Sequence, residues 1–287
     1  MVVDIKRLQD LCSVCQDRGG KDDNGDPIVR TGFAAIDEEE NAYYGVKVGI
    51  SMRELTVDIV RENLGPIQDE EIYPPFPGDG NLTVAPKDTT GFYVKRTAWA
   101  TYLDFKGGEF LPKLMLQEAK TMEFLLQNPH PNIIKYYGCH VKRDRITGLV
   151  LQTFEFPHDL GFVSSRPDLF KGKLDKDCIL AGIRSGLDHL HSLGWAHNDI
   201  NPANILIDDA GEPKLIDFGS CQPFGAHLMS SGTKGWCKET FFHSAKENDE
   251  YSFEVFKPWL DEMVLKVEES VVSHKSWEMK LQDVPPL

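Results

Sequence analysis

His197-Asn-Asp-Ile-Asn-Pro-Ala-Asn-Ile-Leu-Ile207, followed closely by Lys214-Leu-Ile-Asp-Phe-Gly219, is the stretch that decides the reading of this chain. Each half joins a polar loop to a short apolar run, Ile205-Leu-Ile207 in one and Lys214-Leu-Ile216 in the other, and both runs read as strands. Immediately upstream, Ile179, Ile183, Leu187, Leu190 and Leu193 recur every three or four positions and predict a helix over 177–193. Further upstream, Leu111–Gln127 reads as a helix. At about 100° per residue, Leu111, Leu114, Met115, Met122 and Leu125 fall within about 60° of Glu118. A carboxylate at the centre of an apolar stripe is costly to bury unless a cation compensates it. Lys95, ending the strand-like Phe92-Tyr-Val, is the natural partner, with Lys87 and Arg96 as competitors. Cys139-His-Val and Gly148-Leu-Val-Leu151 read as strands joined by Lys142-Arg-Asp-Arg145, a solvated hairpin tip. Strands come early and helices late, the ordering of an α+β protein.

The two loops resemble the catalytic loop H-R-D-x-x-x-x-N and the D-F-G magnesium motif of the protein kinase superfamily. Lys95 resembles the strand lysine of V-A-I-K that pairs with a helix glutamate, here Glu118, and reaches the nucleotide phosphates. Pro129-His-Pro-Asn-Ile-Ile134 is similar to the loop after that helix, and Gly232-Thr-Lys-Gly-Trp-Cys-Lys-Glu239 to the end of an activation segment. Asp249-Glu-Tyr-Ser-Phe-Glu-Val-Phe256 is similar to the start of the helix whose aspartate ties down the catalytic loop. The phrasing around Ala196–Pro202 and Ile216–Phe224 resembles kinase-like proteins of filamentous fungi.

The resemblance implies a two-lobed α+β fold, with a strand-rich N-lobe to about 151 and a shortened helical C-lobe from about 155. It implies ATP and Mg²⁺ in the cleft between them, with Leu151, Gln152 and Thr153 in a hinge that runs to Phe154. A transferred phosphoryl group carries negative oxygens, so a catalyst must hold Mg²⁺ against them and aim the acceptor hydroxyl. Asn204 and Asp217 offer the hard oxygens Mg²⁺ prefers. Asp199 is left to take the hydroxyl proton, and His197 is expected to pack at the base of the loop. The implied substrate is a protein or a small hydroxyl compound. A nucleotide-binding scaffold and a small-molecule kinase are the rival functions.

Four departures qualify the resemblance. No G-x-G-x-x-G precedes Lys95, and Gly78-Asp-Gly80 reads as a plain acidic turn. Asn198 stands where many kinases carry the arginine that receives a loop phosphate, which argues against that mode of regulation. Asn201 stands where Ser/Thr kinases place a lysine against the transferring phosphate, so activity is expected to be slow or atypical. No arginine follows Arg184 to pair with Glu239, and few residues follow Asp249.

The 287 residues, 41% hydrophobic and 26% charged, suffice for one large two-lobed domain. A formal charge of −14 argues against a nucleic-acid partner, which needs a basic face. No apolar run approaches the ~18 residues of a membrane span, and the first residues lack a secretory h-region. Six cysteines scattered without a signal read as reduced cytosolic thiols; Cys12 and Cys15 form a C-x-x-C without the second pair that zinc wants. The expected organisation is an N-terminal extension over 1–40, partly flexible and with a short helical start. A kinase-like domain follows over 41–265 and a tail over 266–287. Within the domain, Tyr43–Ile50 and Leu82–Ala85 read as strands and Met52–Leu64 as a helix. The sequence carries no signal for an oligomeric state.

Overall fold

A computed structural model of the chain describes residues 3–21, 25, 27–155, 158–170, 174–230 and 232–282. Residues 22–24 and 26 of the expected N-terminal extension and the closing 283–287 of the expected tail lie outside the described residues. The chain divides into two compact units: Met1–Thr90, Val94–Ala119 and Tyr137–Val150 in the first, and Gly91–Tyr93, Lys120–Tyr136 and Leu151–Leu287 in the second.

The first unit contains an antiparallel sheet of β1 (Ser13–Lys21), β2 (Pro27–Ile36), β3 (Ala42–Val48) and β4 (Gly65–Pro66), in that order. Two strands therefore stand where an extension with a helical start was expected, and only a 3₁₀ turn at Leu8–Asp10 is helical there. The reason is visible in the residues. β1 is an edge strand, so polar Gln16, Asp17 and Arg18 can lie along it, while β2 is central and buried from Thr31 to Ala35. Phe33 is fully buried against Gly45 of β3, where a Cβ would stand 2.3 Å from the Phe33 ring. The helix expected over 52–64 is split: Thr56 is extended and its Oγ1 caps Ile59 N, so α1 starts afresh as Val57–Asn63 after a 3₁₀ turn.

A second sheet has the order β5-β7-β6, from β5 (Tyr93–Lys95), β6 (Tyr136–Lys142) and β7 (Arg145–Leu151). The strand expected at Leu82–Ala85 is a single parallel bridge, Val84 to Cys139, with Ala85 N and Cys139 N each donating once. Gly78 and Gly80 both sit at positive φ in an exposed turn where Asn81 bonds Asp79. Arg143 and Asp144 are left-handed (φ 50° and 56°), as a two-residue hairpin turn demands. The tip is not simply solvated, because Arg143 bonds Asp69 and the carbonyls of Glu39 and Glu40. A short α2 (Tyr102–Phe105) precedes α3 (Phe110–Gln127), whose residues to Ala119 belong to this unit.

The second unit holds β8 (His158–Asp159), α4 (Leu160–Ser165), α5 (Lys176–Ser192) and β9 (Trp195–Ala196). It continues with β10 (Ile205–Ile207), β11 (Pro213–Leu215), β12 (Gln222–Pro223) and α6 (Lys246–Gln282). Asp175 caps α5 by accepting from Cys178 N at 3.0 Å, and the stripe Ile179, Ile183, Leu187 and Leu190 is fully buried. Each such side chain contributes about 1.5–3 kcal/mol. Gly182 lets the β10–β11 hairpin lie against α5: a Cβ there would stand 2.4 Å from the Pro213 ring. The expected tail from 266 continues α6 instead, as far as Gln282. Among the described residues no helix is long and apolar enough to cross a membrane.

Candidate active site

β10 and β11 pair in register Ile205 with Leu215 through Ile207 with Pro213, and this hairpin sets the site. Ile216 N donates to Asn204 O at 3.0 Å, so the loop ending on Asn204 and the loop opening on Asp217 emerge side by side. Asp217 is left-handed (φ 61°, ψ 78°), and its Oδ1 accepts from Gly219 N at 3.4 Å, starting a 3₁₀ turn. Such a conformation in a non-glycine residue costs about 1–3 kcal/mol and is held here by its neighbours.

Four side-chain and backbone donors converge on the Asp199 carboxylate. Oδ1 accepts from Thr233 Oγ1 (2.8 Å), Thr233 N (2.9 Å) and Asn201 Nδ2 (3.0 Å), while Oδ2 accepts from Asn204 Nδ2 (3.0 Å). Asn201 also reaches Thr233 Oγ1 at 3.2 Å and caps the following turn by accepting from Ala203 N at 2.9 Å. Asn201 is thus a structural donor to the loop, where the sequence reading saw only a neutral substitute for a cation. Thr233, in the run that resembles an activation segment, is the residue of this network with no expected role. Its place after Gly232 in that motif was the available signal.

Asp249 in the first turn of α6 is fully buried and holds the base of the loop. It accepts from Asn198 N (2.7 Å), His197 N (2.9 Å) and His191 Nε2 (2.9 Å). His197 packs on the Phe218 ring at 5.0 Å and bonds Ile216 O through Nε2, as a packing residue should. Asn198, at φ 64° and buried, lies with Nδ2 within 3.0 Å of Ala196 O, Ser220 O and Ser244 Oγ. Its Oδ1 accepts from Ala245 N and Asn248 Nδ2. The segment after Asp217 is ordered by its own backbone as well. β12 pairs with β9, and residues 225–228 bond 242–244 through Gly225 N to Ser244 O, Ser244 N to Ala226 O and Leu228 N to Phe242 O.

Asn204 Nδ2 is committed to Asp199, which leaves its Oδ1 as the atom that could meet a cation. Two hard oxygen donors on adjoining loops fit Mg²⁺, which typically takes one or two protein carboxylates and keeps several waters. Among the described residues no cluster of three or more His, Cys, Asp or Glu could hold a metal ion.

In the first unit, Lys95 Nζ meets Glu118 Oε1 at 2.6 Å. Of the competitors, Arg96 is engaged with Glu40, at 2.6 and 3.1 Å. Leu151 is buried at the end of β7, and Thr153 is exposed. Gln152 N donates to Lys135 O at 2.9 Å, and Gln152 lines a cavity of about 550 Å³ with Leu125, Pro129, Ile133 and Tyr136. Asp199, Asn201, Asn204 and Asp217 do not line that cavity.

The family model described as protein kinase domain matches residues 103–248 of this chain. Glu118, Asp199, Asn201, Asn204 and Asp217 fall inside the match, and Lys95 falls just before it. Serine/threonine-protein kinase Tao of Drosophila melanogaster is 42% identical over 104 residues, which is 35% of this chain and 9% of that protein. Human serine/threonine-protein kinase/endoribonuclease IRE2 is 30% identical over 178 residues, 55% of this chain and 18% of the relative. The probable serine/threonine-protein kinase At1g54610 of Arabidopsis thaliana is 36% identical over 102 residues, covering 35% and 18%. The chain spans less than a fifth of the length of these curated relatives.

Proposed function

This chain belongs to the protein kinase family, and we propose that it is an ATP- and Mg²⁺-dependent kinase of Ser/Thr hydroxyls on proteins. The observation that carries the reading is the arrangement of Asp199, Asn204 and Asp217 around one hairpin. When bound, Mg-ATP supplies a transferable phosphoryl group with part of its charge neutralised. Asn204 and Asp217 would hold the metal, and Lys95, fixed by Glu118, would contact the phosphates. Asp199 would take the proton of the acceptor hydroxyl. Oδ1 already accepts three hydrogen bonds and Oδ2 accepts one from a side chain, so Oδ2 is the atom for that proton. Leu151, Gln152 and Thr153 keep the role of hinge by resemblance alone. Of these, Gln152 contributes its side chain or carbonyl, since its N–H is taken by Lys135. Asn198 and the backbone ladder over 225–228 and 242–244 support a segment that needs no phosphate to be ordered.

A nucleotide-binding scaffold is the second reading. Two observations favour it: Asn201 in place of a cation, and a lysine strand without a glycine-rich hairpin before it. Thermal shift with ATP, with and without Mg²⁺, followed by autophosphorylation, separates the readings. Nucleotide at 100 times its dissociation constant stabilises a fold by ~2.7 kcal/mol. Asp217→Asn should remove the Mg²⁺-dependent part of that stabilisation and leave the fold intact. Unchanged Mg²⁺ dependence in the variant would take Asp217 out of the site, and a shift without transfer favours the scaffold.

A further inference from the structure

The residue after Lys95 and the first turn of the helix carrying Glu118 are both held by the same N-terminal segment. Arg96, the next residue after Lys95, donates from Nη2 and Nε to the two carboxylate oxygens of Glu40. Glu40 is 6% exposed and left-handed (φ 64°), in the turn from β2 to β3 that Asp37 closes by accepting from Glu39 N and Asn41 N. The end of β5 is therefore tied to the four-stranded sheet by a bidentate ion pair. On the other side, Phe110 and Leu111, in the first turn of the helix carrying Glu118, share an apolar cluster with Ala34, Ala42 and Tyr102. A third tie comes from the β6–β7 hairpin, whose Arg143 bonds Asp69 and the carbonyls of Glu39 and Glu40, while Arg145 bonds Tyr73 O.

We propose that residues 13–73 are a built-in positioning module for the Lys95–Glu118 pair, acting through Glu40, Arg96 and Arg143. The pair joins a buried Glu118 to a partly exposed Lys95, and its desolvation cost offsets much of its attraction. It cannot by itself hold a helix and a strand end at 2.6 Å separation between charged atoms. An element that packs the start of the helix and clamps the residue next to the lysine can. The inference rests on the proposed function only where nucleotide is concerned; the positioning itself is a statement about geometry.

The test uses the full chain and two readouts. The first needs no nucleotide: a double-mutant cycle of Lys95→Met and Glu118→Gln by thermal unfolding, run with Arg143 intact and again with Arg143→Ala. The coupling should be present in the first cycle and lost in the second. The second compares affinity for Mg-ATP with affinity for adenosine. Arg143→Ala and Arg96→Lys should weaken Mg-ATP about tenfold, ~1.4 kcal/mol, and leave adenosine unchanged, since Lys95 would reach only the phosphates. A merely structural lesion weakens both ligands together. Arg96→Lys is used because Arg96→Ala leaves Glu40 buried without a cation and can unfold the chain. Coupling that survives Arg143→Ala in a folded chain overturns the proposal. A parent chain that shows the coupling but binds no Mg-ATP upholds the positioning and overturns the nucleotide reading instead.

Discussion

Around Asp199 the second unit is held by amides, hydroxyls and backbone N–H groups; around Lys95 the first is held by ion pairs. Asn201, Asn204 and Thr233 donate to Asp199, and the loop's own N–H groups donate to Asp249. In the first unit the ties are Lys95–Glu118, Arg96–Glu40 and Arg143–Asp69. The difference has physical consequences. A network in which amides, hydroxyls and backbone N–H groups surround a carboxylate does not depend on a second charge and is little affected by salt. Ion pairs weaken as salt rises, the more so the more exposed they are, and the loss of one partner leaves the other charge poorly solvated. The two units should therefore fail under different conditions, and three experiments press on that contrast.

The largest effect belongs to Asp249. Replacing it with alanine strands the buried N–H groups of His197 and Asn198, each at a cost of about 1–3 kcal/mol. At about 2–4 °C per kcal/mol for a chain of this size, the melting temperature should fall by roughly 5–20 °C. Asp249→Asn keeps one acceptor oxygen and should fall between. The loss should be the same in low salt and in 1 M salt, whereas that of Arg143→Ala should shrink as salt rises. A drop of under ~2 °C for Asp249→Ala, or a strongly salt-dependent one, breaks the contrast.

The same contrast explains what could be read from the sequence. That the loop of Asp199 and Asn204 adjoins the one opening on Asp217 was legible because one short hairpin joins them, and residue type at fixed spacing is enough to see it. Lys95 and Glu118 were legible because Glu118 sits mid-stripe on α3, where a buried carboxylate must have a cation. The sheet β1–β4 was not legible. Its edge strand is polar, and its buried strand relies on Gly32, Ala34 and Ala35, whose small side chains give little periodic signal. Arg143 read as a solvated tip because its partners lie 74 and 103–104 positions away, and no local pattern points to them. Asn198 read only as a missing arginine, since an amide that serves five partners at positive φ leaves no trace in spacing.

Next in size is Asn201→Lys. Donors aimed at charge developing in a transition state are worth about 10²–10³ in turnover elsewhere. A flexible ammonium regained at this position should recover part of that, about tenfold or more. The ammonium can still donate to Asp199, but it cannot accept from Ala203 N, so the cap is lost at about 0.5–2 kcal/mol. Faster transfer from a slightly less stable protein is the expected pair of outcomes, measured by single-turnover kinetics and thermal unfolding. A stability loss with no gain in rate on a broad panel of peptide and small hydroxyl acceptors favours the scaffold.

The smallest effect is a slope. His140 lies in the first unit, buried, with Nδ1 2.8 Å from Thr147 Oγ1 and 3.7 Å from Glu40 Oε1. Burial pushes its imidazole below the ordinary 6.5; Glu40 pulls it back up, and Arg96 and Lys142 push it further down. The folded chain then binds a proton at this site less readily than the unfolded chain. Below pH ~6.5 the unfolded state takes up the extra proton, so stability rises with pH through the window below 6.5 and levels off above it. The slope from one such group is at most ~1.4 kcal/mol per pH unit. His130, in the second unit, is lowered chiefly by burial, and by His189 and Lys214, so it adds a slope of the same sign. Urea unfolding between pH 5.5 and 7.5 should show the fall on the acid side. His140→Gln and His130→Gln should each flatten part of it. Salt should change the His140 share more, because Glu40, Arg96 and Lys142 all act on it through charge. An acid slope untouched by His140→Gln would mean that this imidazole accepts its proton in the folded state. The first unit's ion-pair cluster would then extend from Glu40 to His140.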